Sequence, residues 1–516
     1  MNEFDDDDFP AAWVRASLDQ VCVSIADGDH QPPPQVERGV PFLVIGNMRG
    51  GRIDFSETRF VSESYFDLLG EPRRPSRGDV LYSVTGSFGI PVLVSTEQSF
   101  CVQRHIAILK PASQMLSGYL ARALGTAAVF RQASNVATGT AQKTVGLKHL
   151  RKFTVPVAPL PEQHRIVEAI ESYFSRLDEA VATLERVQRN LNRYQASVLK
   201  AAVEGRLVPT EAEVARAERR DYEPASVLLK RILHERRRRW HEALGPGKCQ
   251  EPVAPDATEL PELPEGWCWA SVDALLREPL RNGHSARKAV GGHVRTLTLS
   301  AVTERDFSEA NTKLTAADGR QIRDLWLEPG DIFVERSNTP ALVGTAALYR
   351  GPRRFAIFPD LLIRVRPAKG MLPLYMEAVL RSPRVRTVFR QAAQGIAGSM
   401  PKISQETVGG LAVPLPPIIE QTRIVAELER RLSVADEAEA SVTMGQTRGA
   451  RLRQSILKWA FEGKLAYQDP NDEPASALLE RIRSQTSASH QSASDADERP
   501  RRRHGSRSFV RAEKKP

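Results

Sequence analysis

The chain alternates between two kinds of hydrophobic patterning, and it does so twice. Residues 13–155 carry short apolar runs punctuated by glycine and proline: "VPFLVIGN", "GDVLYSVTG", "GIPVLV" and "CVQRHIAILKP". Such runs, bounded by turn residues, predict strands. "SGYLARALGTAAVFRQA" (117–133) has helical spacing instead, so this front part reads as a mixed α/β domain. From residue 162 the period changes. Ile170, Phe174, Leu177, Val181, Leu184, Gln188, Leu191, Gln195 and Val198 recur at alternating four- and three-residue steps, and seven of the nine are apolar. That is a coiled-coil seam rather than the stripe of a globular helix. No glycine or proline interrupts 162–204, so the spacing predicts one helix roughly 60 Å long. The proline-rich "VAPLPEQ" favours its start, and Gly205 its stop.

The same scheme then returns. Residues 267–410 give strand-like "RTLTLSAV", "GDIFVE", "GTAALY" and "LLIRVRP", then a helical stretch at 373–393. A second long helix is predicted over 420–462, with Leu428, Leu432, Ala435, Val442 and Ile456 in its seam. Glu439, Gly449 and Arg453 fall at matching positions, and Gly445 adds a second glycine. That seam is too polar to hold up a long helix alone, so it is expected to pair antiparallel with the first.

Direct matches make the repetition a duplication. "EQHRIV" (162–167) recurs as "EQTRIV" (420–425), and the offset of 258 holds from Val155 to Leu207, where "SVLKAAVEGRL" matches "SILKWAFEGKL". A paired helix keeps its length, because each insertion rotates the apolar face. "EPASVLL" (223–229) returns as "EPASALL" (473–479), "VFRQA" (129–133) at 388–392, "WVRASL" (13–18) as "WCWASV" (267–272), and "GDVLYS" (78–83) as "GDIFVE" (330–335). The order is the same in both copies, and the drifting offsets mark loop insertions. The expected organisation is a flexible lead at 1–12, a mixed domain at 13–155 and a helical region at 156–242. A linker at 243–262 joins these to a second domain at 263–412, a second helical region at 413–483 and a disordered basic tail at 484–516.

Length allows two to four ordinary domains. With 41% hydrophobic and 26% charged residues the chain reads as globular. The acidic start "MNEFDDDDFP" has no apolar signal core, and no apolar run reaches membrane-spanning length, which leaves the cytoplasm as the expected compartment. A net charge of +9 is compatible with a polyanionic partner, although the tail alone holds eight Lys/Arg against four Asp/Glu. The run Arg236–Arg239 could touch phosphate, but reads first as a solvated helix end. Cys22, Cys101, Cys249 and Cys268 show neither metal-ligand nor CxxC spacing, and the ten histidines form no HExxH arrangement. There is no GxxxxGK[ST] loop, no Asn-Pro-Pro-aromatic stretch of an amino-group methyltransferase and no nuclease carboxylate cluster. "GNMRGGR" (46–52) lacks dinucleotide-binding spacing and reads as a turn. The pattern points to binding rather than catalysis, with no metal.

Taken together, "PLPEQHRIV" and "PIIEQTRIV", the long following helices, "LKAAVEGRL" and "LKWAFEGKL", the Glu-Pro-Ala-Ser-x-Leu-Leu segments and "LPEGWCWASV" resemble the specificity subunit of Type I restriction–modification systems, over roughly residues 10–482. The resemblance implies an α+β fold: two mixed α/β target recognition domains separated by two long antiparallel coiled-coil helices, in a pseudo-twofold tandem duplication. It implies a non-catalytic subunit in which each domain reads half of a split, asymmetric DNA site. Two methyltransferase subunits and the restriction motor-nuclease subunits would be its partners, and S-adenosylmethionine, ATP and magnesium would belong to them. Two domains reading one face of B-DNA need about one helical turn, 34–36 Å, or a related spacing, between them. Two other readings stay open from the residues alone: the targeting module of a single-chain restriction or methylation enzyme, and a coiled-coil adaptor that never meets DNA.

Base edges are read by Arg, Lys, Asn, Gln and Ser/Thr from loops or helix ends. The candidates in the first domain are Asn47, Arg49, Arg52, Thr85, Ser87, Gln142 and Lys143. In the second they are Arg281, Asn282, His284, Arg287 and Lys288, then Arg336, Ser337 and Asn338, and Lys402. Arg336 and Asn338 follow the Gly-Asp strand at the place in the repeat that Thr85 occupies. Arg165 and Arg423 are expected to serve packing rather than DNA.

Overall fold

The computed structural model describes residues 10–29, 33–140, 142–244, 251–256, 258–285, 287, 291–393 and 400–485. The N-terminal lead before residue 10, part of the linker and the basic tail from 486 lie outside them. The chain divides into two compact units, residues 1–184 with 444–516 and residues 185–443. The linear series of domain, helix, domain, helix is therefore not the spatial one. Each unit combines one mixed domain with the beginning of one long helix and the end of the other.

In the first unit, β1 (Val14–Ser17) pairs antiparallel with β11 (Thr154–Val157). The main sheet has the order β2 (Cys22–Asp27), β10 (Ile106–Pro111), β7 (Val80–Ser83), β8 (Pro91–Leu93), all antiparallel. A second sheet joins β3 (Val40–Leu43) to β6 (Arg59–Val61) antiparallel and to β9 (Cys101–Val102) parallel, and β4 (Met48–Arg49) and β5 (Arg52–Ile53) form a hairpin. The stretch expected as one helix at 117–133 is two, Ser117–Leu124 and Ala127–Val136. Gly125 ends the first, and the Thr126 side chain accepts from Val129 N to cap the second.

The second unit repeats this plan. β12 (Cys268–Ser271) pairs with β19 (Ala412–Leu415). The main sheet runs β13 (Arg281–Asn282), β18 (Leu362–Val365), β16 (Ile332–Glu335), β17 (Ala346–Leu348). β14 (Val294–Leu297) and β15 (Thr312–Thr315) make a separate pair. Here too the helix expected over 373–393 splits, into Pro373–Arg381 and Pro383–Ala392. Pro383 cannot continue the first helix, and Ser382 caps the second through Val385 N.

The recurring motifs are the joints of both units. The Gly-Asp strands begin on a buried ion pair, Asp79 with Lys110 at 2.9 Å and Asp331 with Arg366 at 2.5 Å. The EQxR entry ties the mixed domain to the helix. Trp13 Nε1 donates to Glu162 at 2.9 Å, and Trp267 Nε1 to Glu420 at 3.0 Å. Gln163 accepts from Leu116 N, and Gln421 from Leu372 N, both at 3.0 Å. Arg165 pairs with Asp472 at 2.5 Å and Arg423 with Glu211 at 2.6 Å, each reaching residues that follow the other copy's long helix. Both arginines are packing residues in this geometry.

The long helices run Leu160–Val203 and Ile418–Phe461, each starting two residues before and ending one before its expected bounds. In the first unit the core takes in Ile170, Phe174, Ile456, Leu457 and Phe461, with Leu177 against it. There the helices are antiparallel: Arg453 lies 4.3 Å over the Phe174 ring and pairs with Asp178, Gly449 faces Val181, and Gly445 faces Leu184. In the second unit Gln188 donates to Glu439 at 2.9 Å and Gln195 to Asp436 at 3.0 Å, while Val198, Leu428 and Leu432 join the core. Val442 is buried and Leu191 half-buried. The polar seam positions are thus cross-helix partners, and the glycines are points of close approach rather than weak places. An added Cβ would sit 2.9 Å from Leu184 Cδ1 at Gly445 and 3.3 Å from Val181 Cγ2 at Gly449.

Arg236–Arg239 lie in the helix Ala225–Leu244. Arg236 pairs with Asp273, Arg237 with Glu251, and Arg238 and Arg239 with Glu235, so carboxylates already engage the run. No helix among the described residues is long and apolar enough to cross a membrane.

Candidate nucleic-acid interface

In both units, backbone hydrogen bonds gather separate loops at the same end of the main sheet, where β7 or β16 finishes. In the first unit the β7–β8 turn is fastened to the segment before β11. Gly86 N donates to Lys143 O at 2.9 Å, Val145 N to Val84 O at 2.8 Å, and Thr144 Oγ1 to Thr85 Oγ1 at 3.3 Å. The structure so brings Thr85, Ser87, Gln142 and Lys143 together. Ser87, Gln142 and Lys143 are exposed, whereas Thr85 is buried and holds the loop rather than facing outward.

The turn between β9 and β10 joins the same cluster through Val84 N, which donates to His105 O at 2.9 Å. It carries Arg104 and His105, whose side chains meet at 3.3 Å. Burial and the Arg104 charge hold the His105 imidazole below its ordinary pKa. Neither residue was singled out from the sequence, because "CVQRHIAILKP" reads as one continuous strand. The polar Gln-Arg-His within it was the available sign of a turn.

Asn47 ends the short turn Ile45–Asn47 that leads into the β4–β5 hairpin, and Arg49 and Arg52 sit on that hairpin, not on those loops. Asn47 is buried, accepts from Val44 N at 2.9 Å and donates to Asp54 O at 3.0 Å, so it shapes the hairpin instead of facing a ligand. Arg49 and Arg52 are exposed, and Arg49 Nε donates to Gly46 O at 2.7 Å.

The second unit assembles its counterpart around β16. Arg336 N donates to Leu361 O at 2.8 Å, and Ile403 N to Arg336 O at 2.9 Å, so Ser337 faces Lys402 across an antiparallel bridge. His284 N donates to Phe358 O at 2.9 Å, and Ser285 Oγ bonds Asp360. Asn282 meets Gln405 at 2.9 Å. Asn282, His284, Arg336, Ser337, Asn338 and Lys402 are thereby collected at one sheet end. Ser337 is buried. Arg281 is held away by Asp324 at 3.1 Å, Arg287 is exposed, and Lys288 lies outside the described residues.

In each unit a glycine with positive φ closes the loop against the phenylalanine of "VFRQA". Gly89 (φ 91°) lies over Phe130 and Gly344 (φ 75°) over Phe389; added Cβ atoms would come within 2.6 and 2.4 Å of the rings. A side chain could not fit there, so each loop needs a glycine where the phenylalanine of "VFRQA" packs. The result is two donor-rich loop clusters, each fixed on a rigid sheet, an arrangement suited to reading base edges. Among the described residues no group of three or more His, Cys, Asp or Glu could hold a metal ion. Burial pushes the Cys101 thiol up to about 12 and the Cys268 thiol to about 11, which leaves them poor nucleophiles.

Residues 29–188 match the family model of the Type I restriction modification DNA specificity domain. The chain is 24% identical to the Type I restriction enzyme EcoKI specificity subunit of Escherichia coli (strain K12), over 93% of this chain and 97% of that protein. It is also 24% identical to the StySPI specificity subunit of Salmonella potsdam, over 93% and 96%. A solved structure described as "Structural basis underlying complex assembly and conformational transition of the type I R-M system" has a similar fold. Its TM-score is 0.55 at 18% identity, covering 89% of this chain and 99% of that one.

Proposed function

We infer that the chain belongs with the Type I restriction–modification specificity subunits and acts as the DNA-recognition subunit of such a complex. The observation that carries this is the duplicated loop cluster: at the same end of the same sheet, backbone-fastened loops present Ser87, Arg104, His105, Gln142 and Lys143 in the first unit and Asn282, His284, Arg336, Asn338 and Lys402 in the second. Likeness along 93% of the chain to two specificity subunits supports it. Each unit reads one half of a split, asymmetric site, because the two clusters present different sets of side chains, Ser87 and Gln142 in the first and Asn282 and Asn338 in the second, while the scaffold beneath them repeats.

Two methyltransferase subunits and the restriction subunits complete the assembly, and S-adenosylmethionine, ATP and magnesium act in those partners. The chain itself is a non-catalytic scaffold. The length of the long helices sets the gap between the half-sites, a reading supported by their equal lengths of 44 residues.

The test is to express the chain with a methyltransferase subunit from its own genome and map methylated bases by single-molecule sequencing. A split motif is expected, and exchanging residues 13–150 for another recognition domain should change one half only. A continuous motif, or a change in both halves, would overturn the two-reader model.

A further inference from the structure

The loop between β16 and β17, residues 336–345, is held from three sides. Gly344 sits on Phe389. Arg386 donates to Ala341 O and Val343 O, both at 2.8 Å. At the loop root Glu335, with 0% of its surface exposed, accepts from Thr303 Oγ1 at 2.5 Å and from Asn338 Nδ2 at 2.6 Å.

Glu335 is an expensive residue to keep there. Burial pushes its carboxyl above the usual range, against the opposing hydrogen bonds of Thr303 and Asn338 and the nearby Arg386 charge. The fold does not require an acid at this position. In the first unit the equivalent residue is Ser83, which holds its loop with a hydroxyl alone, donating to Ser87 O at 2.8 Å and accepting from Ile90 N at 2.9 Å. A carboxylate beside a surface meant for a polyanion also opposes binding. Besides taking the Thr303 hydroxyl, what Glu335 does that Ser83 does not is fix an amide side chain.

Asn338 is half-buried, and its Oδ1 also accepts from Thr339 N at 2.8 Å. A primary amide has two N–H donors and two lone pairs, so one of each remains on Asn338. Beside it Ser337 is 1% exposed, and its Oγ has no hydrogen-bond partner in the structure. A donor and an acceptor on one planar amide match N7 and N6 of adenine in the major groove. Fixing that amide beforehand removes the entropy of ordering it on binding.

We propose that Asn338 reads an adenine in the half-site of the second unit, with Glu335 as the residue that positions it. The proposal rests on the DNA-reading function inferred above. The full chain, with its methyltransferase subunit, is titrated with duplexes carrying the mapped motif. Each adenine of that half-site is replaced in turn by 7-deazaadenine or by another base.

At one adenine, base replacement should weaken wild-type binding by about 5- to 150-fold, the range for losing a bidentate contact, with 7-deazaadenine at the lower end. N338A should show no sensitivity at that adenine while keeping the other half-site. E335A should lose the same discrimination. E335Q, whose carbonyl still accepts from Asn338, should recover most of it, an outcome that a merely structural role would not produce. A wild-type adenine pattern in N338A, or no sensitive adenine, overturns the proposal and leaves the DNA-reading function standing. Equal wild-type binding to the mapped duplex and to a duplex with both half-sites scrambled removes both.

Discussion

The glycines of the second long helix offer the sharpest disagreement between pattern and structure. By pattern, Gly449→Leu should strengthen the pair. It fills a seam position, recovers about 1 kcal/mol of helix propensity and buries a side chain worth about 1.5–3 kcal/mol. By structure it should weaken it. The Cβ alone would sit 3.3 Å from Val181 Cγ2, and a β-branched neighbour has little freedom to turn aside. Leucine places three more heavy atoms into space that Val181 already fills, which costs about 1–3 kcal/mol of overpacking and forfeits the burial gain. Gly445→Leu meets Leu184 Cδ1, 2.9 Å from the added Cβ. Alanine is the control. Its propensity gain of about 1 kcal/mol is set against an off-rotamer shift of about 0.5–1.5 kcal/mol, and the net should be near zero. Hydrogen exchange of the amides in 170–184 and 444–456 reads the local opening free energy without assuming two-state unfolding of the whole chain. Set against the propensity gain of about 1 kcal/mol that leucine shares, the overpacking leaves a net loss of up to about 2 kcal/mol, so both leucine variants should exchange up to about 30-fold faster there, and both alanine variants nearly as wild type. Slower exchange in either leucine variant would refute the close-approach reading and restore the seam as a simple apolar stripe.

Paired cysteines at Val181 and Gly449 should form a disulfide within one chain, since an added Cβ at Gly449 lies 3.3 Å from Val181 Cγ2, the place a cysteine sulfur would take, and non-reducing gels of the monomer check this. Glu420→Ala should destabilise its unit more than Glu162→Ala does its own, by about 1–2 kcal/mol, because Glu420 also holds Glu211 N and leaves a second buried N–H unmet; exchange of the β12 and β1 amides gives the comparison. Burial raises the folded pKa of Glu420, so the folded state holds its proton to higher pH than the unfolded state does. Stability should therefore fall as pH rises from the ordinary carboxylate value through the folded one, and Glu420→Gln should remove that part of the slope in pH-dependent denaturation. A seven-residue insertion after Leu184, matched in the second helix, should widen the gap in the methylated motif and leave both half-sites intact, since a heptad preserves the four-three alternation; an unchanged gap would end the spacer reading.

The sequence by itself determined the duplication, the alternation of mixed domain and long helix, and the positions of the joints. These are properties of period and offset, which side chains display along the chain. It also pointed to loops that the structure gathers at one sheet end in the second unit, since Arg336 and Asn338 follow a strand whose place in the repeat was plain. It did not determine which of those residues face outward. Asn47, Thr85 and Ser337 have the same chemistry as Ser87 and Asn338, and only burial separates them. It merged two helices into one at Gly125 and at Ser382–Pro383, where caps outweigh a continuous apolar face. It passed over Arg104 and His105, which reach the cluster only because the β9–β10 turn closes beside the end of β7. Tertiary structure alone decided that each compact unit takes half of each long helix, and that glycine in a seam makes room for a neighbour. Local periodicity records which face of an element is apolar. What that face meets, and how closely, depends on residues hundreds of positions away, and only the folded chain brings them together.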